Sequence, residues 1–276
     1  MRERIRPKAK ADHPESVERR YTLTFANANN SFISVNVLKK DQIGMGSYGD
    51  IFRALVEVRG QNGSTRERTF VLKDFRKTIR NRDRLGSPEE ASRKALEKWK
   101  RLKQVGVRTW ATYRLALEEP VILMSDGEPD ESVLISNNPS RSRDRAESWP
   151  ALPLDGLEEH FERAIADALL AHENNIYVNS HAWFMRAARN QDGQDKIMIR
   201  DIFIGDFDSI VLDDIPPSNR ESNNLMELDI SVLSSIDRLT KGQRSLQYEA
   251  LLTKVIKRKI AATMKERDPG KGERVR

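Results

Sequence analysis

The chain contains no cysteine, which excludes disulfides and thiolate metal sites. Its four histidines, His13, His160, His172 and His181, show no His-Glu-x-x-His spacing, which argues against a zinc enzyme. No apolar run approaches the roughly 20 residues a membrane span needs, and the N-terminus lacks the apolar core of a signal peptide. A cytoplasmic location is therefore expected. Internal repeats are also lacking, so a solenoid or propeller is not expected.

What the chain does have is charge. Of its 276 residues 33% are charged and 38% hydrophobic, with a mean hydropathy of -0.67, the profile of a globular protein with a heavily charged surface. The 48 Lys and Arg against 42 Asp and Glu leave a net charge of +6. Much of that excess lies at the ends, in residues 1–20 and from Lys254 to Arg276. Solvated tails are the plain reading. A nucleic-acid or membrane-surface partner held through them is the alternative, though no aromatic stacking platform accompanies the charge.

Strand character recurs early, at 21–25, 32–38, 50–58 and 69–73, with a hairpin signal at Gly60 to Gly63. Ser87 as N-cap, Pro88 in the first turn, and Glu89 and Glu90 at the positive end of the dipole predict a helix that Gly106 closes. Two strands follow near 112–115 and 120–124. Residues 126–153 are rich in Ser, Asp, Asn, Pro and Arg and read as a hinge or linker. Beyond it the pattern predicts a helix over 155–173, short strands near 176–178, 183–185 and 196–199, and helices near 225–239 and 245–264. This divides the chain into a basic arm (1–20), an N-terminal lobe (21–125), a linker (126–153), a C-terminal lobe (154–266) and a basic tail (267–276). The cleft between two such lobes is where a ligand is expected.

Three features carry chemistry. Gly44, Gly46 and Gly49 form a Gly-x-Gly-x-x-Gly sequence between two strand-like runs. Glycines let the backbone approach phosphate oxygens and point N–H groups at them. A Rossmann loop opens a helix, whereas here Asp50 begins a strand, which disfavours a dinucleotide site. Lys73 ends the next strand, where its ammonium can neutralise phosphate charge. Asp206 and Asp208 follow a hydrophobic run, and carboxylates at a strand end suit Mg²⁺, which prefers oxygen ligands.

In this order, the glycine loop, Lys73, a helix and the segment from Asp206 to Asp208 resemble the protein-kinase-like superfamily, over roughly residues 38–240. The resemblance implies an α+β, two-lobed protein-kinase-like fold. It would have a small N-terminal antiparallel sheet with one helix and a reduced, mainly helical C-terminal lobe. It implies ATP and Mg as cofactors, with Gly44, Gly46, Ser47, Gly49, Lys73, Met124 and Asp126 binding nucleotide and Asp206 and Asp208 holding the metal. The segment at Asp229 resembles the helix whose aspartate braces the catalytic loop.

The chain departs from the family pattern at several points. Asp208 replaces the third-position glycine, Ser180 stands where the catalytic aspartate belongs, and Met185 stands near the second metal-binding asparagine. On the helix, Ala95 holds the place of the glutamate that pairs with the lysine, leaving Glu89 or Glu90 as substitutes. His181 is the candidate base beside Lys73 and Asp206; His172, Asn179 and Asp201 are weaker substitutes. Two functions follow from the resemblance: ATP-dependent phosphoryl transfer to a protein or small-molecule substrate, and a pseudokinase that binds nucleotide or scaffolds a protein partner.

Overall fold

The structure is a computed structural model that describes residues 21–26, 32–46, 49–59, 63–76, 86–126, 132–137, 149–189, 195–212, 223–243 and 245–267. The arm at 1–20, Ser47 and the tail beyond 267 lie outside the described residues.

Alternation of side chains builds the first sheet. β1 (Tyr21–Ala26), β2 (Phe32–Gly46), β3 (Gly49–Arg59) and β4 (Thr65–Asp74) run antiparallel in sequence. β6 (Val121–Ser125) joins β4, and β5 (Tyr113–Leu115) forms the far edge. Every second residue points inward, and Leu23, Phe25, Val35, Val37, Ala54, Val56, Leu72 and Leu123 make one buried cluster.

Two register shifts in β2, between Val37 and Lys39 and between Gln42 and Gly44, bend that strand. The sheet curls until its edges meet: Phe25 bridges Ala116, and the Leu117 N–H donates to the Thr24 carbonyl at 2.9 Å. The result is a nearly closed six-stranded barrel. The outward residues Val71, Ile122, Met124 and Tyr113 belong instead to the large core shared with the rest of the chain.

Helix α1 (Pro88–Gln104) packs on that outer face. The Ser87 hydroxyl accepts the Glu90 N–H at 3.2 Å, Glu89 and Glu90 lie in the first turn, and Arg101 and Lys103 lie in the last. These are the capping and dipole terms anticipated from the sequence.

The second half carries a sheet of its own beside its helices. β7 (Val133–Ser136), β10 (Trp183–Arg189), β11 (Ile197–Ile204) and β8 (Leu154–Asp155) form a four-stranded sheet in that order. β9 (Ile176–Val178) pairs with β12 (Ile210–Leu212). Helices α2 (Leu157–Glu173), α3 (Asn224–Thr240) and α4 (Ser245–Arg267) complete it.

The expectation of a small sheet above a mainly helical lobe is therefore overturned. The first sheet closes into a barrel, and among the described residues the second half carries six strands beside three helices. Part of the reason is visible in β10, where both faces are covered, so its apolar residues do not alternate as those of a half-exposed strand do. β7 lies inside the stretch read as a linker. No helix among the described residues is long and apolar enough to cross a membrane.

Candidate functional site

The register of the barrel sets Lys73 in a row of paired residues. Gly44 faces Ile51, Ile51 faces Lys73, and Lys73 faces Ile122. Two strand spacings put Gly44 about 10 Å from Lys73. Lys73 shares a face with Val71, which belongs to the large core, so its side chain leaves the barrel on the outer side, towards the second half of the chain. There it is buried, with its side chain 5% exposed.

From 133 residues further along, Asp206 Oδ1 accepts a hydrogen bond from Lys73 Nζ at 3.3 Å, and Asp208 Oδ2 accepts a second. The side chains of both aspartates are buried.

Local chemistry explains why this segment is held there. After β11, Gly205 passes between aromatic rings. A Cβ on it would stand 2.7 Å from a Phe184 ring carbon and 3.0 Å from Trp110 Nε1. Trp110 Nε1–H donates to the Gly205 carbonyl at 2.7 Å, and the Gly205 N–H donates to the Ala182 carbonyl at 2.8 Å.

Phe207 then opens a single 3₁₀ turn (Phe207–Ser209) and drives its ring into the core. It meets Tyr113 edge-on at 4.7 Å, and Tyr113 stacks on Trp99 of α1 at 5.8 Å. Anchoring Phe207 fixes the residues on either side of it, and both reach Lys73.

Lys98 of α1 is the second cation of the cluster and was not singled out from the sequence. It is half-buried. Burial lowers its pKa, and the nearby charges of Asp208 and Asp206 oppose that shift. Burial likewise raises the Asp208 carboxyl above the usual carboxylate range, against the pull of Lys73.

Lys98 lies three residues beyond Ala95 and four before Leu102, both buried, so the helix face itself marked the position. Glu89 is exposed and Glu90 pairs with Lys94 at 2.7 Å. The acids on Lys73 come instead from the turn at Phe207.

The other expected residues divide. Gly44 and Gly46 end β2 and Gly49 begins β3, so the glycine sequence is a hairpin tip, with Gly46 facing Gly49. Gly49 sits at φ +148°, and a Cβ there would lie 2.5 Å from the Asp74 carbonyl oxygen. Close backbone packing thus demands this glycine. Met124 is a buried residue of β6, and Asp126 lies 3.5 Å from Arg53.

His181 is exposed on the 3₁₀ turn Ser180–Ala182, whose Ala182 carbonyl accepts the Gly205 N–H. His172 is exposed at the end of α2. Asp201 is committed to Arg108, which also holds Asp167 at 2.8 Å and ties the end of α1 to α2 and β11. Met185 is buried between Ile202 and Ile135.

At Ser180, where the resemblance implies an aspartate, the backbone N–H donates to Glu227 Oε2 at 2.8 Å. The Tyr177 hydroxyl donates to the other Glu227 oxygen at 2.5 Å. Burial and that carboxylate push the Tyr177 pKa up to about 12. Asn224 accepts from the Val178 N–H at 2.9 Å and donates to the carbonyls of Ile176 and Ala168. The bracing acid is therefore Glu227, whereas Asp229, two residues on and about 200° around the helix, is raised by burial and by Glu249.

No group of three or more His, Asp or Glu side chains among the described residues is arranged to hold a metal ion. The two carboxylates of Asp206 and Asp208 nonetheless fit Mg²⁺, which is usually bound through one or two carboxylates plus substrate phosphates. No protein-family model matches the chain, and no curated protein matches its sequence.

Proposed function

We propose that the chain binds a nucleoside triphosphate, ATP in the first instance, as its Mg²⁺ complex on the outer face of the barrel. The observation that carries this is the buried cluster of Lys73, Asp206 and Asp208, joined by Lys98. Burying charged groups costs more than packing apolar ones, so such a cluster in a protein interior is a marker of function. Lys73 supplies a point charge for phosphate oxygens, and the glycine hairpin lies two strands away in the same row. Asp206 and Asp208 would hold the ion, which supplies neutralisation of phosphate charge when bound.

Two outcomes of binding follow. In the first, His181 accepts the proton of a substrate hydroxyl as its oxygen bonds to the γ-phosphorus, and the bond from that phosphorus to the β,γ-bridging oxygen breaks to release ADP. In the second, nucleotide is held without turnover. The second is favoured by Ser180, whose backbone is fastened to Glu227 at the place of the expected aspartate.

A thermal melt separates the two from a purely structural cluster. ATP with Mg²⁺ is expected to raise the melting temperature of the native protein, and Asp206→Asn is expected to abolish the rise. ATP turnover lost in His181→Gln but retained in its binding supports the transferase reading. No turnover with intact binding supports the second. A melt indifferent to nucleotide removes both.

A further inference from the structure

The far end of the barrel carries a different arrangement. A cavity of about 390 Å³ opens there, within the size range of small-ligand sites. Its floor is Phe25, Val35 and Leu123, all buried members of the barrel interior. Its rim holds Arg66, Arg68 and Arg114.

Strand parity explains the arginines. Along β4 the residues Arg66, Arg68, Phe70 and Leu72 share one face, and Leu72 lies inside the barrel. Arg114 shares a face with Ala116, another interior residue. Across the ladder Arg66 faces Val58, Arg68 faces Val56 and Arg114 faces Leu123. The inward face of the barrel thus changes from apolar to cationic at its mouth. Among the described residues, no carboxylate lines the cavity and none forms an ion pair with these three arginines.

We infer that this mouth is a second binding site, for a small amphipathic anion whose apolar body enters the barrel and whose carboxylate is held by Arg66, Arg68 and Arg114. Charge and polarity select this occupant. Three guanidinium forks with no carboxylate beside them among the described residues suit an oxyanion, and the apolar floor rewards burial of hydrocarbon. The site is separate from the Lys73 cluster. It faces the inside of the sheet, and it lies five to seven residues away along β4, roughly 17–24 Å at about 3.4 Å per residue.

The test is calorimetric titration of the full chain with dodecanoate and dodecyltrimethylammonium, each below its micellar concentration, and with dodecanol below its solubility limit. Saturable one-to-one binding of dodecanoate is expected, with dodecanol weaker by roughly tenfold or more and the cation not bound. Arg68→Gln with Arg114→Gln is expected to weaken dodecanoate by at least roughly tenfold. That variant should keep the native melting temperature, and Arg68→Lys with Arg114→Lys should bind in between. Absent dodecanoate binding, equal binding of dodecanol, or binding unchanged by the glutamine pair each overturns the inference. So does a single-stranded oligonucleotide that binds through these arginines while dodecanoate does not.

Discussion

Asp208 shows most directly what the candidate site costs the fold. Its carboxyl titrates above the usual range because burial outweighs the attraction of Lys73. The folded state therefore binds this proton more tightly than the unfolded state. Stability linked to Asp208 is highest below its unfolded pKa and is lost as pH rises through the folded value. Asp208→Asn removes that loss. Relative to the native protein, its melting temperature is expected to rise as pH increases from about 4, near the unfolded value, towards neutral.

Lys73→Met works in the opposite direction. It strands two buried carboxylates, and a loss on the order of 3 kcal/mol is expected in chemical denaturation. A Lys73→Met protein as stable as the native one would show that the cluster is not the buried ion network described. Lys73 and the two aspartates were legible because each ends a hydrophobic run. Lys98 and Glu227 were not, because each stands beside other charged residues on an amphipathic helix, where a solvated side chain is the usual outcome.

Among the elements, the turn at Phe207 depends most on neighbours distant in sequence. Gly205 lies between Phe184 of β10 and Trp110 of the α1–β5 connection, with no room for a methyl group. Gly205→Ala forces one ring to move and is expected to cost about 1–3 kcal/mol, as overpacked cores do. Because the turn carries both aspartates, nucleotide affinity should fall with it. Stability and affinity in Gly205→Ala both equal to native would contradict this placement.

The helices were read closely from the sequence, since caps, dipole residues and 3.6-residue spacing are local signals. Predicted spans of 155–173 and 225–239 compare with Leu157–Glu173 and Asn224–Thr240. The strands were harder to read. β8 has two residues, and β7 hides between polar segments whose composition signals a loop.

At the scale of the molecule, closure of the barrel escaped the sequence because it rests on backbone contacts between Phe25 and Ala116 and between Thr24 and Leu117. Those contacts join residues more than ninety positions apart, and no side-chain pattern encodes them. The bulges in β2 that bend the sheet are equally silent. Closure has a functional consequence. It turns one face of β4 inward to form the arginine mouth and the other outward to present Lys73.

The central claim is that the outward face receives a magnesium nucleotide. Calorimetric titration of ATP into the native protein and into Asp206→Asn, each with and without Mg²⁺, tests it most directly. The expected result is saturable binding to the native protein that tightens with Mg²⁺ and a variant that has lost the Mg²⁺ dependence. Binding that is absent, or that is the same in Asp206→Asn with and without the metal, would contradict it.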